Sequence, residues 1–229
     1  MNAMRDLNYQ SPTLRRHVRE EIQRRILSGK CQPGERLAQQ SLAKELGVGQ
    51  GTIRESLLEL EWLGLVESVD RLGVFVGRLD TAHLAEAYEV REYLEGLAAR
   101  RACAYASHSD LAVLEEMAER IWALSNAGKV EEMGAVDRAF HLQIMSLSRN
   151  RILLRLAAGY RVLGMAVRTA REPRQVHEEH TGIVDAIKRN LPDEAEKLAR
   201  QHVEETRRTI ALEAESDDYE PIWVLNSQD

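Results

Sequence analysis

Apolar positions in the first third of the chain switch between a helical and a strand period, and the switches mark out its elements. Leu14, Val18, Ile22 and Ile26 recur every fourth residue, which predicts a helix to about Leu27. Ser11 is a plausible N-cap, Pro12 suits the first turn, and Ser28-Gly29-Lys30 ends the helix. Pro33-Gly34-Glu35-Arg36-Leu37 then turns the chain into a second helix, where Leu42, Ala43 and Leu46 make a short apolar face. Gly47 stops that helix, because glycine accepts the left-handed conformation found at helix ends. Val48 plugs the turn, and Ile53, Leu57, Leu60 and Leu63 form the next stripe. Two short helices joined by a Gly-containing turn are the helix-turn-helix pattern. After Gly64-Leu65, two β-rich runs flank Asp70-Arg71-Leu72-Gly73 and predict a hairpin, placed as a wing. An ordinary packed helix pair with a hairpin is the plain alternative. The order of the elements favours a DNA-binding module.

Beyond a polar connection at residues 77–81 the period is helical throughout. Six helices are expected, over about 82–106, 109–128, 130–147, 152–170, 173–190 and 192–214. The fold class is therefore mainly α: a winged helix-turn-helix domain over 10–78, then an all-α helical bundle over 79–215. Residues 216–229 form an acidic tail containing Trp223.

Charge supports the division. The net charge is −6, yet residues 1–78 hold 12 Lys and Arg against 10 Asp and Glu, while the remainder holds 19 against 27. The mildly basic part is the one expected to meet phosphates. Arg15, Arg16, Arg19, Arg24 and Arg25 line the first helix, as a solvated face or as phosphate contacts. Cys31 and Cys103 form no C-x-x-C pair and fit reduced thiols. Without a signal-peptide pattern or an apolar run of about 18 residues, a soluble, cytoplasmic protein with no membrane partner is expected.

The bundle interrupts its own apolar stripes with polar residues. Asp137 and His141 sit one turn apart in the third of its helices, beside Phe140 and Ile144. His180 lies on the stripe of Val176, Ile183, Val184 and Ile187, and His202 on that of Ala195, Leu198, Ala199 and Ile210. A buried carboxylate is costly unless paired or metal-bound. One Asp and three neutral imidazoles suit a divalent metal ion, zinc first, with nickel or manganese as alternatives. Taken singly, a core histidine is more often a hydrogen-bonded residue than a ligand, and it is the four inward polar residues together that favour a metal. His177 reads as a flank or outer-shell group, and His17, His83 and His108 as surface residues. Tyr88, Arg91 and Glu95 share a face, and an inward Arg91 could clamp an organic carboxylate bidentately. The alternative is an Arg91–Glu95 pair within the helix, worth about 0.3–0.5 kcal/mol.

At these residues the chain resembles the GntR family of bacterial transcription regulators, in the branch with an all-helical FCD effector domain. The N-terminal match rests on residues 33–37, Leu42-Ala43, Leu46-Gly47-Val48, Arg54-Glu55 with Leu57, and Gly64-Leu65-Val66. The C-terminal match rests on Arg91 with Leu94-Glu95, Asp137 with Phe140-His141, His180 and His202. The resemblance implies a metal held by Asp137, His141, His180 and His202 at the base of a small-molecule pocket. Six bundle helices rather than seven are similar to the smaller, vanillate-regulator-like subgroup. One departure concerns the recognition helix, which the family usually begins Ser-Arg-Thr-Pro and this chain begins Gly49-Gln50-Gly51-Thr52. Gln50 thus replaces an arginine that commonly touches DNA, and Gln prefers adenine where Arg prefers guanine.

The reading is a homodimeric regulator, a repressor rather than an enzyme, that binds a palindromic operator in double-stranded DNA and responds to a small organic acid. Arg36 and Arg54 are expected at phosphates or bases, Gln50 and Thr52 at base edges, and Arg71 at the backbone or minor groove. Tyr88 and Arg91 are expected at the effector. One rival is a metal-dependent hydrolase fused to a DNA-binding domain. No Asp or Glu base is obvious beside His141 or His180, although Glu178 and Glu179 keep that reading open. Another is a constitutive regulator with a purely structural metal.

Overall fold

The computed structural model describes residues 12–77, 81–164 and 171–214. The expectations for Ser11, for the end of the fourth bundle helix beyond residue 164 and for the acidic tail lie outside these residues. The chain divides into two compact units, with the boundary after residue 79.

In the first unit, α1 (Pro12–Leu27), α2 (Gln39–Leu46) and α3 (Gln50–Trp62) precede β1 (Val66–Val69) and β2 (Gly73–Val76). The i, i+4 stripes become its core: Val18, Ile22 and Ile26 of α1 and Ile53, Leu57 and Leu60 of α3 are all buried. Gly47 ends α2 at φ 65°, its N–H donating to the carbonyl of Ala43. The strands pair antiparallel, Val66 opposite Val76 and Val69 opposite Gly73. β2 is also held on its other edge by the turn that follows α1. There Leu37 N–H donates to the Val74 carbonyl at 2.8 Å, and Val76 N–H to the Glu35 carbonyl at 2.8 Å. The wing is thus pinned to the 33–37 turn as well as to its own hairpin partner.

The arginines of α1 are internally engaged. Arg15 pairs with Glu55 and Glu59, Arg19 with Glu59, Arg16 with Glu20, Arg24 with Glu21, and Arg25 with Glu21 and Glu45. A phosphate contact by any of them would compete with, or share the guanidinium with, one of these pairs.

The second unit contains α4 (Thr81–Ala102), α5 (His108–Asn126), α6 (Val130–Leu147), α7 (Arg151–Gly164), α8 (Pro173–Lys188) and α9 (Pro192–Ala214). No strand occurs among its described residues. Its core gathers the small residues Ala98, Ala99 and Ala102 of α4 with Leu114 and Ile121 of α5 and Phe140 of α6. α4 packs most extensively along α9. Gly96 permits that approach: a Cβ there would stand 2.5 Å from Arg200 Cγ and 3.2 Å from the Glu196 carbonyl oxygen.

Helix boundaries moved where capping outweighed periodicity. α4 ends at Ala102 rather than near residue 106, and after a short turn Ser107 and Asp110 form a capping box that starts α5. Asn150 caps α7, its Oδ1 accepting from the N–H groups of Ile152 and Leu153.

Candidate metal centre and DNA-facing helix

Three helices bring four ligand-type side chains together. Asp137 and His141 project from α6, His180 from α8 and His202 from α9, and one donor atom from each lies within 4.8 Å of all the others. The three histidines are buried, His180 completely, while the Asp137 side chain keeps 27% of its exposure. Asp137 Oδ1 is 3.4 Å from His180 Nε2 and 3.7 Å from His141 Nε2. These distances are close for like-placed donors and too long for good hydrogen bonds.

Two carboxylates orient the rings from behind. His141 Nδ1 lies 2.6 Å from Glu95 Oε2, and His202 Nδ1 lies 2.7 Å from Glu179 Oε2. Each Nδ1–H is thereby taken, which leaves the Nε2 lone pair of that ring directed elsewhere. His141 Nε2 and both ring nitrogens of His180 are buried without a hydrogen-bond partner. Unpaired buried nitrogens cost free energy, and a divalent cation among them would remove that cost. The donor set fits such an ion.

The electrostatics agree. Burial opposes charging Asp137, but the imidazoles of His141, His180 and His202 outweigh it and hold the carboxyl far below its usual range. Burial likewise opposes Glu95, and Arg91 and His141 overcome it, keeping Glu95 ionised. His141 is disfavoured as a cation by burial, yet the carboxylates of Glu95 and Asp137 push it up to about 9. Burial drives His180 well below the ordinary histidine value, helped by His202. His202 is also lowered by burial, against the pull of Glu179. Two imidazoles are therefore neutral ligands at pH 7, and the third sheds a proton to become one.

The other expected residues divide. Arg91 pairs with Glu95 and lies 5.0 Å over the ring of buried Tyr88. The intrahelical pair is therefore present, but it is buried and shared with His141, unlike the exposed pair weighed from spacing alone. The expectation that no carboxylate stands beside His141 is wrong, because Glu95 reaches it from α4. His177 is not in the outer shell: it bonds to Glu119, and its ring lies tilted against Trp122 with centroids 5.1 Å apart. His17 and His108 are exposed as expected, and the His83 side chain lies outside the described residues. Arg171, which the stripes do not single out, pairs with Glu179 at 2.5 Å and donates to the His202 carbonyl. Its position outside any periodic stripe hid it.

On α3, Gln50 and Arg54 face solvent, but Thr52 has no exposed surface. Thr52 therefore cannot meet a base edge. Its place one turn before Ser56 and beside Ile53 puts it on the core side of the helix, where Ser56 donates to the Arg15 carbonyl. Arg36 is exposed, with its guanidinium over the wing: a Cβ at Gly73 would come within 3.2 Å of Arg36 Nε. Arg71 occupies the exposed hairpin turn at φ 62°. Arg36, from the 33–37 turn, and Arg71, from the hairpin, are thus two exposed cations at the wing.

Among the described residues, a helix-turn-helix with a pinned wing is followed by six helices around an Asp-His-His-His cluster, the architecture of a DNA-binding regulator with a separate helical domain. The chain belongs to the GntR family: residues 14–76 match the model for bacterial regulatory proteins of the gntR family, and residues 86–205 match the FCD domain. It is 27% identical over 84% of its length to the Glc operon transcriptional activator of Escherichia coli (strain K12), covering 87% of that protein. It is 31% identical over 83% of its length to a probable D-xylose utilization operon transcriptional repressor of Paenarthrobacter nicotinovorans, covering 86% of it. Among solved structures, Escherichia coli McbR/YncC aligns with a TM-score of 0.70 at 22% identity, over 86% of this chain and 97% of that one. The protein is a DNA-binding regulator and not an enzyme. No helix among its described residues is long and apolar enough to cross a membrane.

Proposed function

We propose that the protein is a homodimeric repressor whose affinity for a palindromic operator is set by a small organic acid bound beside a divalent metal ion. The observation that carries this reading is the meeting of four donors from three helices, with partnerless buried imidazole nitrogens among them. Asp137, His141, His180 and His202 would hold the ion, zinc first, which when bound supplies a Lewis-acidic point for an anionic ligand. The surrounding charges favour an anion. Asp137, Glu95 and Glu179 carry three negative charges against the two positive ones of Arg91 and Arg171. A divalent ion with neutral imidazoles therefore leaves one positive charge to be balanced. Arg91 gives its Nε–H to Glu95, which leaves its two terminal nitrogens as the other end of the guanidinium fork. Those nitrogens are the ones suited to a carboxylate, with Tyr88 supporting the guanidinium plane. Repression needs nothing beyond occupancy of the operator, one recognition helix in the major groove of each half-site. An effector shifts that occupancy only by its differential affinity for the two states of the protein.

The test combines metal content with DNA response. Wild type, His180→Ala and His202→Ala are purified, assayed by elemental analysis, and titrated onto a selected operator with a panel of small mono- and dicarboxylates. Loss of metal together with loss of the carboxylate response supports the reading. Full metal occupancy in both variants sinks the site, and metal loss with an unaltered response leaves the ion purely structural.

A further inference from the structure

The outward face of α3 carries an apolar side chain where a DNA reader is expected to be polar. Leu58 is 56% exposed, one turn after Arg54 and two turns, about 12 Å, after Gln50. Every carboxylate of the helix is already engaged elsewhere. Glu55 and Glu59 pair with the arginines of α1, and Glu61 accepts the Ser68 N–H. On the face that Leu58 shares with Arg54, the carboxylate held by a backbone N–H rather than by an arginine is Glu61, which lies toward the C-terminal end of the helix, beyond Gln50, Arg54 and Leu58.

We propose that Leu58 is a specificity-determining residue that reads thymine by packing on its 5-methyl group in the major groove. The methyl is the one apolar feature that distinguishes a base pair at the groove edge, and it is met by apolar side chains. The placement of Leu58 supports this partner over a protein. Together with Trp62, one turn further on and 68% exposed, it makes an apolar patch of two side chains. Two apolar side chains on a face that also carries Gln50 and Arg54 suit a mixed polar and apolar groove edge. Trp62 ends a helix about 20 Å long. A recognition helix lies in the major groove and reads bases from its N-terminal part, so Leu58, on the face of Gln50 and Arg54, is nearer the base edges than Trp62 at the end of the helix. The inference rests on the DNA-binding family of the chain and is independent of the metal and its ligand.

Operators are selected from random DNA with the full-length protein and with Leu58→Ala. At each enriched thymine, deoxyuridine is then substituted, which removes the methyl group and leaves every hydrogen-bonding atom. At one A·T position of each half-site, this change is expected to weaken wild-type binding about fourfold, the equivalent of about 0.8 kcal/mol for one apolar carbon group. Leu58→Ala is expected to lose preference at that position and to be indifferent to the methyl there. Because Leu58 is exposed, the thermal midpoint of the variant should match wild type, which separates reading from folding. The proposal is overturned if no thymine position responds to deoxyuridine. It is equally overturned if Leu58→Ala keeps the full methyl penalty, or if it weakens all sequences alike with an unchanged preference.

Discussion

Glu95 on α4 and His141 on α6 meet at 2.6 Å between Oε2 and Nδ1, while the other oxygen of Glu95 holds Arg91. One buried carboxylate therefore fixes the tautomer of a proposed metal ligand and neutralises the arginine proposed to receive the effector. It is the point at which the two halves of the site become one.

Replacing Glu95 should consequently damage both. Glu95→Gln is expected to lower zinc affinity about 10–100-fold, the usual effect of losing an outer-shell carboxylate. It should also destabilise the protein by about 3–5 kcal/mol, since Arg91 would stay buried without its counter-ion. Competition with a chromophoric chelator gives the first number and urea unfolding of the metal-free protein gives the second. An unchanged zinc affinity would show that His141 does not need this partner.

Removing the ion should loosen the bundle, because its proposed ligands tie α6, α8 and α9 together. Free zinc at about 1,000 times its dissociation constant would add about 4 kcal/mol to stability. EDTA should therefore lower the thermal midpoint by several degrees, and zinc should restore it. The same scan on His202→Ala should show neither change.

The metal-free protein should be most stable near neutrality. His141 is raised to about 9, so its contribution is complete below the unfolded value of about 6.5 and disappears as pH climbs to about 9. His180 and His202 are lowered, so below about 6.5 the unfolded chain takes up protons that the folded chain refuses, and stability falls again. Metal uptake near pH 7.5 should release about one proton, from His141, and should tighten as pH rises toward 9. Thermal midpoints across pH, and calorimetry in buffers of different ionisation enthalpy, measure the two effects. A midpoint that keeps rising to pH 9 without metal would contradict the proposed protonation of His141.

Gln50 and Thr52 should separate cleanly although they are two residues apart. Gln50→Ala is expected to relax preference at one base position by about 1–3 kcal/mol and to leave stability unchanged. Thr52→Ala should lower stability by about 1–2 kcal/mol, as loss of a buried polar side chain does, with operator preference intact. Selected sequence sets and chemical unfolding of the two variants provide the comparison.

The wing and the helix-turn-helix were legible along the chain because their signals are local. Gly47 at the end of α2, the i, i+4 stripe of Ile53 and Leu57, and the hairpin turn at residues 70–73 depend on neighbours within a few residues. The four ligand-type residues were legible for a related reason. A polar group on an otherwise apolar helical stripe must face inward, and the spacing of Asp137 and His141 shows that without any partner helix. What the periodicity of a single helix does not contain is the contact across to another. That Glu95 would turn to His141, that Arg171 would reach Glu179 and the His202 carbonyl, and that His177 would leave for Trp122 were settled by how α4, α5, α6, α8 and α9 pack. Thr52 marks the same limit at short range. Its position in the motif pointed to DNA, but a rotation of less than one turn decides which side of α3 meets the core, and packing against α1 made that choice.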